Sequence, residues 1–211
     1  MKILKPSVAK RRQKNALRKA LARTIPRLLS LYTERHRTYH NWEHIRACQR
    51  ELRHFPLGSL PKNIDFGSLV LALNFHDAIY DPRRNDNEEK SAKLFVKLFG
   101  HMVSARRRNK IVALIMATKH DRAPKTFEEK LICDIDLAIF GQPRPVFDAY
   151  EKAIRKEYAW VPIKDFRAGR AAVLKHFLAQ PSIYRLTYFK RCYEKAARAN
   201  LKRSLKALLG A

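Results

Sequence analysis

The stretch that most limits how this chain can fold is 66–79, FGSLVLALNFHDAI. Leu69, Val70, Leu71, Leu73 and Phe75 are apolar nearly all round a helix, so no face of it suits water and the other elements must be wrapped about it. The end of this helix carries His76 and Asp77 side by side, and the chain then breaks at Asp81–Pro82. Polar side chains at the end of a buried helix are costly unless they are satisfied. An adjacent imidazole and carboxylate can place a nitrogen and an oxygen on one cation, provided other segments complete the shell.

The rest of the chain reads as helix throughout. Apolar spacing predicts helices over 7–32, 42–54, 66–79, 87–99, 104–118, 127–139, 144–159, 163–179 and 182–209. The first is amphipathic and interrupted or kinked near Pro26. Asn41 and Asp65 stand where N-caps belong. Asp86 with Glu89 three residues later has the form of a capping box, and Gly100 is placed to stop the helix that follows. No segment alternates with period two, and there is no internal repeat. The expected fold class is all-α, a single domain of about nine helices over 34–211, with a basic N-terminal helix in 1–33 packed on it or extending from it.

Charge is distributed unevenly. The chain has a formal net charge of +26 over 211 residues. Residues 1–33 carry ten Lys and Arg and no Asp or Glu; residues 160–211 carry twelve against two, while 34–159 carry 23 against 17. The ends therefore attract polyanions, whether nucleic acid, nucleotides or an anionic surface, although the same charge also serves solubility. Aromatic residues are not interleaved with the basic runs as a single-strand stacking platform requires, and no helix-turn-helix pattern stands out. Nowhere do 18 consecutive apolar residues occur, so no membrane span is expected. Cys48, Cys133 and Cys192 are odd in number and widely spaced, which suits reduced thiols in the cytoplasm. There is no secretory signal pattern, and lysines as frequent as arginines argue against a mitochondrial transit segment.

Partners for the His76–Asp77 pair lie on both sides of it. Upstream, RTYHNWEHI carries His40 and His44; downstream, CDIDLAIFG carries Asp134 and Asp136. Any one of these alone is commonly a surface or satisfied core residue, and the conjunction on three helices is what points to a metal. The order His44, His76–Asp77, Asp136 resembles the signature of the HD superfamily of metal-dependent phosphohydrolases. More narrowly, RTYHNWEHI, FHDAIYD, DNEEKSA, TKH and DIDLAIFG resemble a bacterial branch described only as predicted HD phosphohydrolases, from about Arg37 to about Asn200.

The resemblance implies a helical fold in which His44, His76, Asp77 and Asp136 hold one divalent cation with positions left for water or substrate. A nitrogen and oxygen donor set suits Mn, Fe, Co, Ni or Zn, and suits Mg less because two imidazoles are soft for it. Spacing leaves Asp134 and Asp136 open as alternatives; the resemblance favours Asp136, with Asp134 orienting a ligand from behind. It also places Arg37, Lys119 and His120 near the metal, where developing phosphoryl charge needs donors. His40 is a candidate acid for the leaving group or an anchor for its helix, and Glu88 a candidate base or an ordinary acidic residue at a helix N-terminus. With only His101 and His120 between the His–Asp pair and Asp136, one metal is favoured and a second with few protein ligands stays open; the second pair, His120–Asp121, is auxiliary. The implied activity is hydrolysis of a small phosphorylated substrate, a phosphomonoester or phosphodiester that includes nucleotides. The alternative is a basic all-helical nucleic-acid-binding domain with a non-catalytic metal site. Phosphate loops, CxxC pairs and a GxSxG elbow are absent.

Overall fold

A computed structural model describes Lys19 and residues 22–210. Among these residues the fold is all-α: nine helices, joined by short 3-10 turns and loops, and no strand. They are α1 (22–32), α2 (Trp42–His54), α3 (Phe66–Phe75), α4 (Asn87–Phe99), α5 (Ala105–Ala117), α6 (Phe127–Asp136), α7 (Arg144–Glu157), α8 (Ile163–Ala179) and α9 (Thr187–Leu209). The expected helical stretch before residue 19, together with residues 20 and 21, lies outside the described residues. Through the described part, α1 continues across Pro26 without a break.

The all-round apolar helix sits where its sequence requires. α3 packs against α2, α4, α5 and α6, and Leu69, Leu73 and Phe75 are fully buried. Phe75 meets Phe95 and Phe99 of α4 edge-on at 5.6 Å each, a geometry that adds to the burial of three large rings. Leu28 and Tyr32 tie α1 to this core, and the Tyr32 hydroxyl donates to the Asn74 carbonyl at 3.0 Å. α8 and α9 pack together, and α9 also covers the 3-10 turn Leu137–Gly141.

Several boundaries differ from the sequence expectation, each for a visible reason. α3 ends at Phe75 and not at 79, because the carbonyls of Asp77 and Ala78 turn to the Arg37 guanidinium at 2.6 and 3.0 Å. His76 and Asp77 thus sit in a tight turn just past the helix. α9 begins at Thr187 and not at 182. The backbone N–H groups of Ile183 and Tyr184 donate to Glu194, and those of Arg185 and Leu186 to Asp134, so the segment before α9 is held by carboxylates. Asn41 and Asp65 cap as expected, accepting from His44 and Ser68 respectively. The capping box expected at Asp86 is not formed, because Arg84 takes both Asp86 oxygens at 2.7 and 2.8 Å. A capping box does form at Thr126 and Glu129. Gly100 keeps a right-handed φ of −58° and leads into a 3-10 turn rather than a left-handed stop. No helix among the described residues is long and apolar enough to cross a membrane.

Candidate metal centre

Three helix ends converge on one point. His44 comes from the first turn of α2, fixed by the Asn41 cap; His76 and Asp77 come from the turn after α3; Asp136 is the last residue of α6. His44 Nε2 lies 3.2 Å from His76 Nε2, 3.1 Å from Asp136 Oδ1 and 3.5 Å from Asp77 Oδ2. His76 Nε2 lies 3.1 Å from Asp77 Oδ2 and 3.5 Å from Asp136 Oδ1. A cation holding N and O donors about 2.1 Å away sets neighbouring donors about 3.0 Å apart if octahedral and about 3.4 Å apart if tetrahedral. The five separations fall on those edges, so the donors present fit a divalent cation. The orientation of His76 is set from behind, its Nδ1 lying 3.0 Å from the Leu73 carbonyl, which makes Nδ1 the donor and leaves the Nε2 lone pair facing the cluster.

Cys48 also belongs to this buried neighbourhood. His44, Cys48, His76 and Asp136 bring potential ligand atoms within 4.8 Å of one another, a group that can hold a metal ion. The Cys48 Sγ is 3.7 Å from His44 Nε2 and 3.9 Å from its Nδ1. Near-equal distances to both nitrogens set the sulfur against the imidazole, off the line along which Nε2 would bind. The sequence reading passed over Cys48, although its place four residues after His44 on a helix puts the two on one face.

The electrostatics are those of mutually compensating buried groups. Burial works against the charged form of Asp77, but His76 beside it holds the carboxyl well below its usual range. Asp136 is likewise lowered against burial, by hydrogen bonds from His120, His44 and His76. His76 rises despite its burial because Asp77 and Asp136 face it. His120 Nε2 lies 2.9 Å from the second oxygen of Asp136, and its pKa is pushed up to about 10 against burial, chiefly by that contact. To reach Asp136, His120 takes a left-handed φ of 56°, alone among the described non-glycine residues. Asp136 therefore offers one oxygen to the cluster and gives the other to His120.

No protein-family model, curated protein or solved structure matches the chain. What the centre can do follows from its own atoms.

The remaining residues singled out in the sequence divide into three groups. His40, Glu88 and Lys119 line the space in front of the cluster. His40 Nδ1 is 2.7 Å from Glu157 Oε2, and its ring stacks on Tyr80 at 4.1 Å. Glu88 stands in the first turn of α4, where burial raises its pKa and Asp77 and Glu89 add to the effect. Lys119 is paired with Glu89. Arg37 departs from the role expected for it. Its guanidinium is buried and donates to the carbonyls of His40, Asp77 and Ala78, so it clamps the His–Asp turn and does not face the cleft. Asp134 departs too: two residues from Asp136 on α6, it points the other way and holds the backbone leading into α9. His101 and Asp121 are exposed and stand apart from the cluster.

Glu157 is the residue that sequence reasoning missed entirely. It is 3% exposed and accepts from the Tyr39 and His40 backbone N–H groups, the His40 ring and the Tyr80 hydroxyl. It lies about 120 positions from His40, and only the packed structure could pair them.

In front of the cluster a chamber of about 170 Å³, floored by Asp77 and Asp136, joins a cleft of about 650 Å³. His40, Glu88 and His120 line both. The outer walls are aromatic, with Tyr80, Tyr150, Tyr158, Phe166 and Phe177; the cations Arg84 and Lys119 line the cleft, and the buried Arg170 lines both cleft and chamber. Each of those cations already has a carboxylate partner, Asp86, Glu89 and Glu151. The net charge of the chain is thus not concentrated in the cleft.

Proposed function

We propose that this chain is a metal-dependent phosphohydrolase of the HD superfamily. The observation that carries the reading is the convergence of His44, His76, Asp77 and Asp136, with donor separations of 3.1–3.5 Å, beside an open chamber that two of them, Asp77 and Asp136, help to line. A structural site is closed; one that opens on a chamber leaves room for a substrate oxygen and a water. These four residues would hold one divalent transition metal, Mn, Fe, Co, Ni or Zn. When bound, the cation supplies electrophilic activation of a phosphoryl oxygen and lowers the pKa of a water.

The chain's own groups supply the rest. Glu88, with its raised pKa and its place beside Asp77, accepts the proton of the attacking water. His40 is held by Glu157 through Nδ1, which leaves Nε2 to give a proton to the departing oxygen, and the contact with Glu157 raises its pKa against burial, which favours the protonated form. His120 fixes Asp136, and Lys119 in the cleft lining offers a point charge to a phosphate oxygen once displaced from Glu89. A cleft of about 650 Å³ with aromatic walls and pre-paired cations suits one phosphoryl group on a flat leaving group better than a polyphosphate chain. A nucleotide is such an ester, and free thiols at Cys48, Cys133 and Cys192 suit a reducing compartment such as the cytoplasm.

The deciding experiment measures metal content by elemental analysis of protein purified without chelator. Wild type is compared with Asp77→Ala and Glu88→Gln, each assayed with Mn²⁺ on a panel of phosphate esters. Wild type is expected to carry about one transition metal per chain and to hydrolyse some ester. Asp77→Ala should lose both properties, and Glu88→Gln should keep the metal while kcat falls by about 10²–10⁴. A wild type that cannot be loaded with metal overturns the proposal, as does a Glu88→Gln variant with unchanged kcat for the role of that residue.

A further inference from the structure

α9 carries seven Lys and Arg against one acid, Glu194, over 23 residues. Phe189, Ala197, Asn200 and Leu201 on one side of it are buried against the fold. On the opposite side Arg191, Lys195, Arg198, Lys202 and Lys206 recur at intervals of four, three, four and four residues. At about 100° per residue these five fall within an arc of about 80°, in a row about 22 Å long. Arg191, Lys195, Lys202 and Lys206 are exposed.

The acids within reach neutralise one member of the row, Arg198, and not the other four. Glu194 is taken by Arg198, which also donates to the carbonyls of Leu178, Gln180 and Pro181, and Asp148 is taken by Arg203 at 2.7 Å and by Arg144. Arg191, Lys195, Lys202 and Lys206 make no ion pair among the described residues. Like charges four residues apart destabilise a helix, so the row is a cost to α9 that solubility alone does not require.

We infer that the solvent face of α9 binds the sugar–phosphate backbone of nucleic acid. A duplex carries one charge about every 1.7 Å of its axis, so a straight row about 22 Å long spans on the order of ten phosphates, enough for its four cations without an acid partner to meet one each. The apolar side of α9 is occupied by α8 and the 3-10 turn Leu137–Gly141, so the helix cannot sink that side into a bilayer. The rings of Tyr188 and Tyr193 pack on the core and leave no stacking platform on this face, so binding is through the backbone and is indifferent to sequence. None of this depends on the metal centre.

The test is fluorescence anisotropy of a labelled 20-base-pair duplex of arbitrary sequence with the full chain, over a series of salt concentrations. It compares wild type with Arg191→Gln/Lys195→Gln/Lys202→Gln/Lys206→Gln. A control, Lys62→Gln/Lys93→Gln/Lys97→Gln/Arg106→Gln, removes the same charge from other exposed positions. Wild type should bind, with log K falling steeply against log salt. The α9 variant should lose at least tenfold in affinity at about 0.1 M salt, with a slope shallower by about 3 to 4, and the control should change little. The double variant Lys195→Gln/Lys202→Gln should show about half that change in slope if the quadruple variant proves ill-folded by circular dichroism. Equal losses in the α9 variant and the control would overturn the inference, as would no binding by wild type at low salt. So would tighter, α9-dependent binding to phosphatidylserine vesicles than to the duplex.

Discussion

At the scale of single residues, two buried groups brace the centre from behind its metal-competent side chains. Arg37 fixes the turn carrying His76 and Asp77 by donating to its carbonyls, and Glu157 fixes His40. The His40–Glu157 contact has a pH signature. Burial would lower the His40 pKa, but the hydrogen bond to Glu157 raises it overall; burial would raise that of Glu157, but the hydrogen bond from His40 lowers it overall. A raised imidazole stabilises the fold fully below its ordinary 6.5 and loses that effect as pH rises through its folded value. A lowered carboxyl stabilises fully above its ordinary 4.5 and loses that effect as pH falls through its folded value. The stability difference between wild type and Glu157→Gln, read from urea unfolding of metal-free protein, should therefore be largest from pH 4.5 to 6.5 and shrink on either side. Its plateau should be about 3 kcal/mol, as for breaking a buried charged pair. A difference that does not vary with pH would mean that the two groups do not titrate against each other.

At the scale of elements, the link that matters runs from α6 through the 3-10 turn Leu137–Gly141 to α9, because Asp136 is the residue where α6 becomes that turn. Gly141 lets the turn lie directly on α9. A Cβ there would come within 2.9 Å of the Tyr193 Cα and closer still to its Cβ, and backbone cannot yield as the tip of a long side chain can. Gly141→Ala should cost about 1–3 kcal/mol in urea unfolding. It should also weaken metal binding measurably by titration, although residue 141 touches no candidate ligand, since relief of the clash moves the turn that carries Asp136. Unchanged metal affinity in a destabilised Gly141→Ala protein would show that the turn and the centre are mechanically separate.

At the scale of the whole molecule, a net charge of +26 on 211 residues is a self-repulsion, weighted toward the two ends of the sequence. Salt should therefore stabilise the protein. Raising ionic strength from about 0.01 to 0.15 M shortens the screening length from about 30 to 8 Å, and the thermal midpoint should rise. A falling midpoint would mean that the ion pairs within the fold outweigh the repulsion.

The same balance separates what the sequence decided from what it could not. Local periodicity and composition determined the all-α class, the burial of the helix around Leu69 and Phe75 and the caps at Asn41 and Asp65, because each depends on residues within a turn or two. Residue types marked His44, His76, Asp77, Asp134 and Asp136 as metal-competent, and only the resemblance favoured Asp136 over Asp134. Distance was not in the sequence: that His44, His76, Asp77 and Asp136 bring donors 3.1–3.5 Å apart depends on how three helix ends meet. The same holds for the carbonyls that claim Arg37, the amides that claim Asp134 and the carboxylate of Glu157 that claims His40. A side chain's job is set by the partner that satisfies it when water is removed, and in a helical fold that partner comes from another element, whose place only the tertiary structure decides.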